Sequence, residues 1–201
     1  MKRRTMVVTL IVGLSLLLGQ TSVSVQVLAQ GPTATPGMPN MPTMSDQTMR
    51  LIDDVRGATA QFRDVDTAKK AGYDKFLTCF RYGNNRGMGQ HYVNGTLAGD
   101  DVLDPMKPEA LVYEPRDDGT LILVAFEYLV FADKWDPQKT GRPAPTLFGQ
   151  PFMLMSNIPD TPPVWGLHLW LWSYNPEGLF ANFNPLVSCP SAMPSIDMST
   201  R

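Results

Sequence analysis

Thr120-Leu121-Ile122-Leu123-Val124-Ala125-Phe126-Glu127-Tyr128-Leu129-Val130-Phe131 is the stretch whose reading decides the fold. It is almost continuously apolar, and a strand covered on both faces reads this way, so it is expected at the centre of a sheet. Glu127 is its one ionisable group of acid or base type. Strict alternation puts Glu127 on the same face as Leu121, Leu123, Ala125 and Leu129. Upstream, Arg116-Asp117-Asp118-Gly119 reads as a turn that joins this strand to Leu111-Val112-Tyr113. Farther upstream, His91 to Val93 and Thr96 to Leu97 flank Asn94-Gly95, a two-residue hairpin signal. Downstream, Val164 to Tyr174 predicts a final strand, with His168, Trp170, Trp172 and Tyr174 on one face and Leu167, Leu169 and Leu171 on the other. Asn175-Pro176 ends it. The prolines between residues 143 and 163 mark that stretch as mostly loop.

Before the strands come helices. Ser45 or Asp46 can cap one in which Ile52, Val55, Thr59 and Phe62 recur at helical spacing. Asp64 can cap a second, carrying Val65, Ala68 and Ala71, and Gly72 supplies its left-handed stop. Helices followed by hairpins predict an α+β fold, a single domain over residues 46–189 with N-terminal helices packed on a mostly antiparallel sheet.

The ends of the chain read differently. Lys2-Arg3-Arg4, the apolar run from Met6 to Leu18 and the small residues at Val27-Leu28-Ala29 predict a signal peptide over residues 1–29, cut after Ala29. A retained anchor is the alternative, but the run is shorter than the roughly 20 residues a bilayer span requires, and no transmembrane span is expected after cleavage. Residues 30–45 read as a Pro/Met/Thr-rich linker and residues 190–201 as a flexible tail. The expected location is therefore secreted or extracytoplasmic, in the cell envelope. The chain has 17 Lys and Arg against 19 Asp and Glu, a formal charge of -2. Loss of Lys2, Arg3 and Arg4 takes it to -5. With no basic cluster beyond the N-terminus, a nucleic-acid partner is not expected. Cys79 and Cys189 are the only cysteines, and in an exported chain they are expected to form a disulfide.

Burying an ionised carboxylate costs several kcal/mol unless it is paired or neutralised, so Glu127 needs a partner. A structural ion pair with Arg81 or Arg86 is one solution. The other uses the only two histidines, His91 and His168, both in predicted strands. His91 follows Arg86-Gly87-Met88-Gly89-Gln90, where glycines allow a close backbone approach. Two imidazoles and a carboxylate on one face suit a transition metal (copper, zinc or iron) and leave positions open. A second soft-metal candidate is Met38, Met41 and Met44. A polyproline II helix repeats every three residues, which lines these thioethers along one side, and thioethers select Cu(I). Trp170, Trp172 and Tyr174 are candidates for a ligand-pocket wall. There is no nucleophile elbow, phosphate loop or dinucleotide fingerprint.

Several strings together resemble an uncharacterised family of exported bacterial proteins: Gly87-Met88-Gly89-Gln90-His91-Tyr92, Leu103-Asp104-Pro105, Pro108-Glu109-Ala110-Leu111-Val112-Tyr113-Glu114, Glu127-Tyr128, Leu167-His168-Leu169-Trp170, and Asn175-Pro176-Glu177-Gly178-Leu179-Phe180 with Asn184-Pro185. The likeness covers most of residues 55–189. His91-Tyr92 followed by Glu127-Tyr128 is also similar to a pattern in the oil-body-associated protein family, with only one His before the Tyr. The resemblance supports the domain limits and implies no reaction.

Three functions are compatible with this reading. The first is an exported protein that binds a transition metal through His91, Glu127 and His168, in metal handling or metal-dependent chemistry. The second is a non-enzymatic module for a small ligand or glycan. The third is a structural cell-envelope domain.

Overall fold

Ser45 accepts a hydrogen bond from Thr48 N at 3.1 Å and so caps the first helix, α1 (Asp46–Thr59). The computed structural model describes residues 44–82, 86–158 and 160–189. The residues read as a signal peptide, most of those read as a linker, with Met38 and Met41, and those read as a flexible tail lie outside the described residues. α1 buries Ile52, Val55 and Thr59 and runs into a short 3-10 turn (Ala60–Arg63) that buries Phe62. Asp64 then caps α2 (Val65–Lys70), accepting from Asp66 N at 3.0 Å. Gly72, at φ +91, turns the chain into the sheet.

The long strands are β1 (Tyr73–Tyr82), β2 (Arg86–Asn94), β3 (Ala110–Pro115), β4 (Leu121–Phe131) and, after a loop-rich stretch, β8 (Val164–Leu169). Between β2 and β3 lies the short helix α3 (Gly95–Ala98), and after β4 comes α4 (Ala132–Trp135). The loop-rich stretch holds a small hairpin of β5 (Thr146–Leu147) and β6 (Gln150–Pro151), and then β7 (Met153–Met155). The main sheet has the order β1-β2-β3-β4-β8-β7, and every pairing is antiparallel. β4 is thus interior to it, as its apolar run requires. The Arg116–Gly119 turn joins β3 to β4, with Arg116 N donating to Thr120 O at 2.8 Å.

One face of the sheet packs on the helices: Tyr92, Leu111, Tyr113, Phe126, Tyr128, Leu167 and Leu169 meet Ile52, Val55 and Phe62. Tyr113 Oη donates to Phe62 O at 2.6 Å, which fastens the sheet to the 3-10 turn. The opposite face carries two smaller clusters. Val112, Val124, Ala125, Trp170 and Val187 form one. Ala98, Ala110, Leu129 and Val164 form the other. Cys79 and Cys189 form a disulfide, closing 110 residues of chain.

Three expectations are corrected. Asn94-Gly95 is not a hairpin turn. Asn94 Oδ1 accepts from Thr96 N at 3.1 Å and Leu97 N at 3.2 Å and caps α3, because the short polar side chain that suits a turn suits an N-cap equally. The second correction concerns β4. Val112 pairs with Ala125 but Tyr113 pairs with Leu123, leaving Val124 as an extra residue in a β-bulge. The alternation changes sides there. Leu121 and Leu123 pack toward the helices, while Ala125, Glu127 and Leu129 face away. The third is the end of β8, which pairs with β4 only to Leu169↔Phe126. The bulge breaks the ladder beyond that point, Trp170 N turns to Leu179 O, and Trp172 N reaches Val124 O at 3.1 Å. Trp172 and Tyr174 therefore lie past the strand.

Candidate metal centre

Glu127 is directly opposite His168 on β8 and Ala110 on β3. His91 lies one strand farther, opposite Val112 on β3. Ala110 carries only a methyl group, so the Glu127 side chain has an open path across β3 toward His91. Gly166 keeps the other side open: a Cβ there would stand 2.9 Å from Glu127 Oε1 and collide with the Met155 methyl. The glycines before His91 serve close approach, as expected. Gly87 exchanges two backbone hydrogen bonds with Asn184, at 3.1 and 2.9 Å. Gly89, at φ +89, has Tyr113 O about 3.0 Å from where a Cβ would sit.

The structure brings His91, Glu127 and His168 together, all buried, at 3%, 5% and 1% exposure. His91 Nε2 lies 3.3 Å from Glu127 Oε2 and 3.4 Å from His168 Nε2. His168 Nδ1 lies 3.9 Å from Glu127 Oε1. One ligand atom from each residue lies within 4.8 Å of the other two. A tetrahedron with bonds of 2.0–2.1 Å has edges of about 3.3–3.4 Å, close to the two shortest separations. The imidazole rings are nearly perpendicular, at 84°. Trp170 stacks on His168, centroids 6.1 Å apart and planes 14° apart, and holds its ring from behind.

Burial pushes His168 down to about 4, against the opposing pull of Glu127. It is a neutral imidazole near pH 7, the form that ligates metals. Burial alone raises the Glu127 carboxyl, but the facing His168 and a hydrogen bond from His91 outweigh it and hold it below the usual carboxylate range. Among the described residues no Lys or Arg pairs with Glu127. Arg86 is bound to Glu177, through Nε at 2.7 Å. Arg81 forms no ion pair among the described residues.

The other candidates are dispersed. Trp170 is buried and its Nε1 donates to Ala181 O. Trp172 is half-buried with Arg56 and Arg63, each guanidinium 5.5 Å from its ring centroid. Tyr174 is 77% exposed. None of the three lines the cavity that does adjoin the site, a space of about 230 Å³ bordered by His91 and Glu127. Met44, the one linker methionine described, is exposed.

The sequence reading missed two further buried acids, Glu109 and Glu114, the latter paired with Arg116 at 2.9 Å. Glu109 is 1% exposed and accepts from Leu129 N at 3.0 Å. Burial pushes its carboxyl up to about 8, helped by the charges of Asp100 and Glu127. The signal was present in Glu109-Ala110-Leu111-Val112-Tyr113-Glu114, an apolar run with an acid at each end.

The fold and site together define a disulfide-bonded α+β domain with a buried two-histidine, one-carboxylate group that could hold a metal. No family model matches the chain, and neither does any curated protein or solved structure.

Proposed function

We propose that this is an exported protein that binds a transition metal through His91, Glu127 and His168, in metal handling or metal-dependent chemistry. One observation carries the reading: an interior carboxylate within 3.3 and 3.9 Å of two imidazoles, with no Lys or Arg pairing to it among the described residues. The neutral His168 imidazole cannot cancel the carboxylate's charge, and an interior charge is costly to bury. A divalent cation cancels it and uses the imidazole lone pairs. Two nitrogens and one oxygen suit zinc, iron(II) or copper, and three protein ligands leave a coordination position for water or a ligand. The disulfide is consistent with an oxidising extracytoplasmic location, and the N-terminal signal reading supports export.

The test is the metal content of the purified protein by elemental analysis, before and after incubation with zinc, iron(II) and copper. About one equivalent is expected in the wild type, and a marked loss in His91→Ala and His168→Ala variants whose circular dichroism shows them folded. Near-zero metal in the wild type under every loading condition overturns the reading.

A further inference from the structure

The cavity beside His91 and Glu127 lies on the sheet face away from α1 and α2. It is bounded by β1, β2, β4, α3 and by Met155, Ile158 and Pro162. Its walls are largely apolar: Phe76, Leu129, Phe131, Met155, Val164 and Phe183. Its volume is about 230 Å³. A dry cavity of about 150 Å³ accepts benzene, so this one accommodates a ring or branched chain with a short substituent. Apolar walls of this kind hold water poorly and favour an apolar ligand body.

One wall residue has a different character. Arg81 follows two register shifts in β1, between Phe76 and Phe80 and between Phe80 and Arg81, and such bulges re-aim side chains. Its Nε is buried and has no hydrogen-bond partner among the described residues. No carboxylate among the described residues lies within ion-pair distance of it. Asp160 also borders the cavity but is exposed and does not pair with it. Asn157 and Thr161 are the remaining polar wall residues apart from the metal-centre pair. Buried donors in folded proteins are nearly always satisfied, and a guanidinium is the donor best shaped for a carboxylate, which it grips with two parallel hydrogen bonds.

We infer that this cavity binds a small carboxylic acid with an aromatic or branched apolar body, its carboxylate held by Arg81. The body fills the apolar space, and its far end is directed along the wall that carries His91 and Glu127. This deepens the proposed function, because a metal held there would place its open position beside the ligand. The Arg81 contact itself does not require the metal.

The experiment is calorimetric titration of the disulfide-bonded protein with benzoate, phenylacetate, 3-phenylpropionate and 4-methylpentanoate. Each acid is compared with its neutral amide, with and without a chelator. At least one acid is expected to bind ten-fold or more tighter than its amide in both conditions. In Arg81→Met that preference disappears while amide binding persists, and Arg81→Lys retains part of it. The bound acid is expected to shift the methyl resonances of Met88 and Met155, which line the cavity. If no acid is preferred over its amide in the wild type, the inference fails, whether or not the Arg81 variants fold. A preferred acid that leaves both methyl signals unmoved overturns it as well, since the site is then elsewhere. Acid preference in a protein that takes up no metal sinks the metal reading alone. Metal uptake without acid preference sinks this one alone.

Discussion

Replacing Glu109 by Gln is expected to stabilise the fold at alkaline pH and leave it nearly unchanged at acid pH. In the folded protein the Glu109 carboxyl titrates near 8, chiefly because it is buried. In the unfolded chain it titrates near the ordinary glutamate value of about 4.3. Below pH 4 both states hold the proton and the residue costs nothing. As pH rises from about 5 to about 8 the unfolded chain releases the proton and the folded one keeps it, so ionisation favours unfolding. At 1.36 kcal/mol per tenfold change, the penalty accumulated by pH 8 is roughly 3 to 5 kcal/mol. Gln cannot ionise, and its carbonyl can still accept the hydrogen bond from Leu129 N. The assay is urea unfolding of both proteins, disulfide intact, at pH 5, 6.5 and 8. The quantity read is the stability of Glu109→Gln minus that of the wild type, in which the other titrating groups cancel to first order. It should grow with pH. A difference that stays flat from pH 5 to 8, or that moves in favour of the wild type, refutes the reasoning.

Gly166→Ala puts a methyl group 2.9 Å from Glu127 Oε1 and against the Met155 methyl. It is expected to cost about 1–3 kcal/mol in thermal or urea unfolding and to weaken zinc binding by about 10- to 100-fold in a competition titration, as loss of ligand support does. Unchanged stability and affinity would show that the carboxylate is not held in that space. Replacing both Cys79 and Cys189 by Ala opens a closure of 110 residues, worth about 4.7 kcal/mol in the chain-entropy account. A midpoint in urea that does not move on this change contradicts a stabilising role for the bridge.

The buried His91–Glu127–His168 group was legible because its three members are conspicuous against their surroundings. Glu127 interrupts an apolar run, and His91 and His168 are the only imidazoles in the chain. The antiparallel sheet then brings them to one face, His168 on the strand beside Glu127 and His91 on the strand beyond β3. What surrounds the site was harder to read. The cavity draws its walls from β1, α3 and the loop before β8, which are remote in sequence, and no local period encodes such a meeting. Glu109 was overlooked because it precedes its apolar run, where an acid ordinarily marks a solvent-facing strand entry. Asn94 was misjudged because hairpin turns and helix caps draw on the same side-chain chemistry. The extension of β8 to Tyr174 followed a real alternation of aromatic and aliphatic residues, but the hydrogen-bond ladder that would have sustained it stops at Leu169.

The extra residue at Val124 makes β4 a strand with two phases. Its first half keeps time with the helical layer, and its second half delivers Glu127 to the opposite side. Side-chain replacements along β4 leave that timing intact, and deletion of Val124 would make Leu123 and Ala125 neighbours on opposite faces and set the whole strand to one beat. Leu121 and Leu123 would stay in the helical layer and Glu127 on the other side, because one residue fewer without the bulge gives the same faces. In β4, then, the bulge rather than the residue count decides which face the carboxylate meets.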